Sequence, residues 1–472
     1  MHWIDLLIFV AYMIAMLGVG YFFLKQNKDT EDYYVGGRSM GSWHVGLSVV
    51  ATDVGGGFSI GLGGLGFTMG LSGSWMLFTG LIGAWLSAVL LIPRVFDIAR
   101  SKKFITFPQL FEHFFSPQVA LLAGVISAIG YAGFTSSQIL AGAKLAAATF
   151  DDLTLQPALW VMGVIAVVYT VMGGIKAVIY TDTVQWAILM GGLIFIGIPM
   201  GYNAVGGYES IVAVLPPEML SFQNLKWYEV VNWAVTIIPI WFVGMTLYQR
   251  IYSCRTEKQA KKAWFIAGIF EWPVMAMMGV LLGLFAKVAL EQGILGAEQT
   301  LDAEMGLPLL LKTVLPIGLT GLMMSAYFSA IMSTADSCLM AASGNIITDI
   351  IQRVTTLNQK SILRISQILT LVIGFLAIIL ASFMEQVLDL MLLSYAFMVS
   401  GLLVPILGGL FWKKRNPHAA FAAMLLGGAT TLSLQVADLE LPWSLDPNIF
   451  GITAAAIVFV GWTDLIPYQN QG

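Results

Sequence analysis

Long apolar runs separated by short polar connections dominate the chain. A helix that crosses a bilayer needs about 20 mostly apolar residues. That rule predicts thirteen spans, near 3–24, 43–70, 74–96, 117–149, 156–174, 182–203, 230–250, 264–290, 307–350, 362–384, 387–411, 417–436 and 449–468. The tenth, ILRISQILTLVIGFLAIILASF, is an unmistakable apolar run. The second and ninth differ, because Gly, Ser and Asp interrupt the apolar pattern. The first run has neither a basic leader nor an A-x-A-like cleavage site, so it is read as a retained helix.

The polar connections orient the runs. With the N-terminus outside, 19 of the 23 Lys and Arg fall on the cytoplasmic side. Arg250, Arg255, Lys258, Lys261 and Lys262 are placed there together, after the seventh span. The other side carries mainly acids: Asp151 and Asp152, Glu209 and Glu218, Glu291 to Glu304, and Asp438 to Asp446. Positive charge inside predicts an external N-terminus and an internal C-terminus. Composition agrees, with 58% hydrophobic and only 11% charged residues, where a soluble domain carries about 25% charged. The fold class expected is an all-α membrane protein of the cell membrane, inner or plasma. A net charge of −4 without a basic tract excludes nucleic acid as a partner. Cys254 and Cys338 make no disulfide framework or zinc cluster, and the four histidines are scattered.

Against that background, charges inside spans need a reason, since each costs at least ~2.5–3.5 kcal/mol near the bilayer centre. Four acids qualify: Asp53, Asp182, Glu271 and Asp336. Asp53 precedes Gly55, Gly56 and Gly57, three glycines that together interrupt a helix. Unwound backbone at membrane depth is tolerated where it lines a cavity or is buried in protein, and its freed carbonyls can hold a cation. In the ninth span Ala330, Ser333 and Thr334 share one helix face, with Ser333, Asp336 and Ser337 on an adjoining one. Hydroxyls there, with carbonyls of the broken helix, suit a hard monovalent cation. Glu271 is open to two readings, a helix–helix hydrogen bond or proton coupling. Two motif matches carry no chemistry: GRSMG at 37–41 lacks a strand–turn–helix setting, and GLGGLG at 61–66 lies inside an apolar span.

DYYVGGRSMG at 32–41, the broken second span, VMGGIKAVIYTDTVQ at 171–185, YQRIYS at 248–253 and MSTADS at 332–337 together resemble the sodium:solute symporter family. The resemblance implies a leucine-transporter fold with two inverted five-helix repeats, spans 2–6 and 7–11. One transporter domain, 1–472, then divides into a first helix and loop (1–40), a first repeat (41–203), an inverted second repeat (230–411) and two C-terminal helices (412–472). It implies Na+ as coupling ion, held by carbonyls of Ala51, Val54 and Ala330 and hydroxyls of Ser333 and Thr334. Asp53 matches an ion-coupling acid of the proline carriers. A second Na+ site would use Asp182, Ser333, Asp336 and Ser337, with Asp336 standing where the sialic acid carriers have serine. For the solute, Thr135, Ser136 and Gln138 offer hydrogen bonds, and Phe58, Trp75 and Phe134 offer stacking or gating. The expected function is sodium-coupled import of a small polar organic solute by a non-enzymatic carrier with no organic cofactor. The expected partners are that solute and the lipid bilayer, with the chain as a monomer. A proton-coupled or sodium-independent carrier of the same fold, or a membrane solute sensor, remains the alternative.

Overall fold

The apolar runs fold as helices because a helix satisfies its backbone hydrogen bonds within one segment. In the computed structural model every regular element among the described residues is helical, apart from one isolated bridge. The described residues are 2–24, 30–53, 55–150, 152–172, 175–296, 301–355, 358–412, 414–437 and 439–465. Omitting short connecting helices, the elements of the first half are α1 (Trp3–Leu24), α2 (Ser42–Asp53), α3 (Gly55–Met69), α4 (Trp75–Leu86), α5 (Pro117–Thr149), α6 (Leu155–Met172) and α7 (Ile175–Gly192). The second half has α8 (Trp227–Val243), α9 (Met245–Ser253), α10 (Glu257–Ile269), α11 (Ala276–Glu291), α12 (Ala303–Val314), α13 (Leu319–Asn345) and α14 (Gln359–Ala381). α15 (Val387–Phe411), α16 (Pro417–Val436) and α17 (Pro447–Leu465) follow.

The interruption expected at the triple glycine is present. Its mark among the described residues is Gly55, whose φ of +50° is left-handed and does not continue a right-handed helix. A second break, not expected from the sequence, separates α8 from α9 at Gly244 and bends the pair by 43°. Each proposed repeat thus begins with a broken helix. The expected ninth span, 307–350, is corrected: its start belongs to the separate helix α12, and α13 begins only after Gly318, at φ +90°. By length and apolarity alone, seven described helices can cross a membrane, or eight if α8 and α9 count as one span. The thirteen-span count therefore stays a proposal.

α13 lies at the centre, packed along α5 and against α1, α7 and α14, and every residue from Met323 to Asn345 is buried. Asp5 of α1 is buried beside its first turn, where the carboxylate accepts N–H bonds from Gly318 (2.7 Å) and Gly321 (2.9 Å). An acid there satisfies orphan donors and complements the helix dipole. The GLGGLG stretch is a packing surface: a Cβ on Gly283 of α11 would overlap the Gly63 carbonyl of α3. Without Cβ atoms the two backbones touch.

At one end, DYYVGGRSMG and YQRIYS meet. Gly36, Gly37 and Arg38 all take positive φ, turning the chain so that Met40 donates to the Ser253 carbonyl (2.9 Å) and accepts from Arg255 N–H (3.2 Å). At the other end lies a buried ion network. Lys144 of α5, fully buried, contacts Asp302 and Glu304 at 2.6 Å each. Glu304 also accepts from the first backbone N–H groups of α15, Val387 (2.9 Å) and Leu388 (3.1 Å). Glu304, expected in an outer loop, is buried, and Lys144 is a further charge within a span.

Candidate cation site

The break after Asp53 and the polar face of α13 come together. Thr334 Oγ1 lies 2.9 Å from the Ala51 carbonyl, at the end of α2, and 3.1 Å from the Ala330 carbonyl one turn back on α13. Its one proton serves a single acceptor at a time. Gly55 makes this approach possible, since a Cβ there would stand 2.6 Å from Thr334 Oγ1. Three of the five expected main-site residues, Ala51, Ala330 and Thr334, thus share one buried cluster. Val54 lies outside the described residues, as do the side chains of Asp53 and Phe58.

Ser333, one residue before Thr334, donates to Asp182 of α7 instead. Asp182 is fully buried and accepts a second bond from Ser48 of α2, at 2.5 Å. The partner carrying opposite charge is Arg250 of α9, its Nη2 3.5 Å from Asp182 Oδ2 with both side chains fully buried. Arg250 also donates to Ser48 (3.0 Å), Ser337 (3.1 Å), Thr52 and the Thr246 carbonyl (3.2 Å). The charge pattern of the sequence puts Arg250 among the cytoplasmic orientation markers. What the structure corrects is its setting: α9, after the Gly244 break, holds Arg250 in the packed interior and not in a solvated loop, and only a hydrogen-bonded pair makes a buried charge there tolerable. Its flanks of Leu247, Tyr248, Ile251 and Tyr252 were the sequence signal. Asp336 makes no hydrogen bond to Arg250 and accepts instead from Thr170 of α6, a residue with no distinguishing sequence context.

The expected solute residues are not all in one place. Phe134 is buried edge-on to Tyr395 of α15, with centroids 5.0 Å apart. Gln138 donates to Ser137 (3.3 Å), reaches the Met391 sulfur (3.7 Å), and lines a small cavity with Phe328, Ile331 and Ala166. Thr135 and Ser136 donate back within their own helix, to the carbonyls of Tyr131 (2.8 Å) and Ala132 (2.9 Å). Trp75 instead donates to the Phe222 carbonyl (2.9 Å) and stacks at 6.0 Å on Trp272, with Phe78 edge-on to both. Glu271 is buried at the junction of α10 and α11, so close to Gly80 of α4 that a Cβ there would overlap its carboxylate.

Residues 33–427 match the model of the sodium:solute symporter family. The high-affinity proline transporter PutP of Bacillus subtilis (strain 168) is 27% identical over 96% of this chain and 97% of its own length. The osmoregulated proline transporter OpuE of the same organism is 29% identical over 89% and 86%. Among solved structures, a Na+-coupled sialic acid symporter in a substrate-bound outward-open state superposes with a TM-score of 0.81, at 21% identity over 98% of both chains. That likeness establishes the leucine-transporter-like fold.

Proposed function

The chain belongs to the sodium:solute symporter family, a group of multi-pass plasma-membrane carriers, and from that premise we propose that it imports proline together with sodium. The proximity of the Thr334 hydroxyl to the Ala51 carbonyl at the helix break carries the reading. It sets a neutral hydroxyl beside carbonyls at the end of an interrupted helix, the donor set a hard monovalent cation takes. Sodium is held there by the carbonyls of Ala51, Val54 and Ala330 and the hydroxyls of Ser333 and Thr334, with Asp53 as the adjoining ion-coupling acid. Ser333 serves while still donating to Asp182, because that bond uses its proton and leaves the lone pairs of its oxygen to the ion. Proline is favoured because the relatives named above are proline transporters spanning nearly the same length. Phe134 and Gln138 of α5, facing α13 and α15, flank the solute; Phe58 is assigned to the solute by the resemblance alone, Thr135 and Ser136 support the α5 segment, and Trp75 acts as a gate.

In this mechanism sodium ties α2 to α13 and favours the outward-open state. Solute then binds near the midplane, and rocking of one helix group against the other exposes both to the cytoplasm. The membrane potential contributes ~2.3 kcal/mol per positive charge per 100 mV. The topology proposed with it has thirteen spans and repeats at 41–203 and 230–411. The test is labelled proline uptake into proteoliposomes under an imposed sodium gradient or an imposed proton gradient. Uptake with sodium alone supports the reading. Full uptake without sodium overturns the coupling, and sodium-driven uptake of another solute but not proline overturns the substrate.

A further inference from the structure

We propose that the Arg250 guanidinium is the resident cation of the region expected to hold a second sodium, so that one sodium ion, not two, accompanies each solute. The inference rests on the sodium-coupled reading above and deepens it. The expected second set is Asp182, Ser333, Asp336 and Ser337. Arg250 already faces two of them, with Nη2 3.1 Å from Ser337 Oγ and 3.5 Å from Asp182 Oδ2. The same nitrogen donates to Thr52, and Nε lies 3.0 Å from Ser48 Oγ, which in turn donates a hydrogen bond to Asp182. A third member, Asp336, is held by Thr170 on the side of α6. The fourth, Ser333, is drawn to the other oxygen of Asp182.

Two of the four groups that would strip a second sodium of its water, Asp182 and Ser337, are therefore engaged with a cation that cannot leave, while Asp336 and Ser333 are tied by hydrogen bonds to Thr170 and Asp182. Arginine keeps its charge in proteins, and its planar fork holds several acceptors at once. A sodium ion entering beside Asp182 would meet a fixed like charge. None of Arg250's hydrogen bonds reaches Ala51, Ala330 or Thr334; they go to Ser48, Thr52, Thr246 and Ser337. The main site is left open to sodium while the second is filled from within the chain. The backbone bonds of Met40 to Ser253 and Arg255, immediately after α9, anchor the end of the helix that carries Arg250.

The experiment is equilibrium binding of radiolabelled sodium to the purified full-length protein, paired with sodium titration of its thermal unfolding, for wild type, Arg250→Lys and Arg250→Gln. Wild type and Arg250→Lys are expected to bind one ion per chain, with a Hill coefficient of about 1. Arg250→Gln, which leaves Asp182 without its cation, is expected to bind a second ion and to titrate with a coefficient rising toward about 2. Two ions bound by wild type overturn the inference while leaving sodium coupling intact. An Arg250→Gln protein that folds and still binds one ion also overturns it, because Arg250 is then only structural. If Arg250→Gln does not fold, the wild-type count decides. No sodium bound by wild type fails the sodium-coupled reading itself, and the inference falls with it.

Discussion

Gly55→Ala tests the cation site at its tightest point. Gly55 sits at φ +50°, where a side chain costs roughly 1–2 kcal/mol. The added Cβ would lie 2.6 Å from Thr334 Oγ1 and 3.2 Å from its methyl group, so Thr334 must turn and surrender its contact with the Ala51 carbonyl. The two losses fall on different measurements. Backbone strain belongs to folding and is expected as about 1–2 kcal/mol in thermal unfolding without sodium. The displaced hydroxyl belongs to ion binding. A bond to a charged partner is worth about 1.5–3 kcal/mol, so half-saturating sodium rises by roughly 10- to 100-fold. Thr334→Ala removes the same hydroxyl without strain and is expected to raise half-saturating sodium by a similar factor. Because both act through one oxygen, the double variant should show no further rise, a non-additivity that a double-mutant cycle reads directly. The assay is the initial rate of uptake in proteoliposomes against sodium concentration, alongside unfolding curves. A Gly55→Ala protein with half-saturating sodium within about twofold of wild type would refute the reasoning, as would sodium penalties that add.

Two further predictions concern parts of the molecule away from the ion. Replacing Lys144 by Met leaves buried Glu304 without its cation and should cost about 3–5 kcal/mol in unfolding. Adding Glu304→Gln should restore part of that, although the N–H groups of Val387 and Leu388 then bond a neutral amide; a double variant no better than Lys144→Met would refute the pairing. Between α16 and α17, burial and the like charge of Asp389 push Asp446 up to about 6 from an ordinary 3.8. The folded state therefore binds this proton more tightly than the unfolded one, so stability is greatest below pH about 4 and falls as pH rises through about 6. Asp446→Asn should flatten melting temperature against pH across that window, and an unchanged slope would show that the dependence arises elsewhere.

Much of the architecture was legible because the signals are local. An apolar run long enough to cross a bilayer must close its own hydrogen bonds, so the runs became helices. Three glycines in a row break a helix wherever they fall, and the chain breaks there, at Gly55. The break at Gly244 was less legible, since one glycine after an apolar run is common and its meaning comes from the matching break in the first half. Likewise Thr334 and Ala330 could be placed on one face by spacing alone, but the approach to Ala51 joins positions 283 residues apart.

The sequence by itself thus determined a helical membrane carrier, its family and the segments on which an ion would be held. Tertiary structure alone decided which charge meets which. Arg250 and Lys144 read as an orientation marker and an unremarked lysine, yet each is fully buried against carboxylates from distant helices. Ser48 reaches Asp182 across 134 positions and Arg250 reaches Ser48 across 202. No helical period encodes such pairings. They exist because desolvated charges are tolerable only with partners, and it is the packing of α2, α7, α9 and α13 that supplies them.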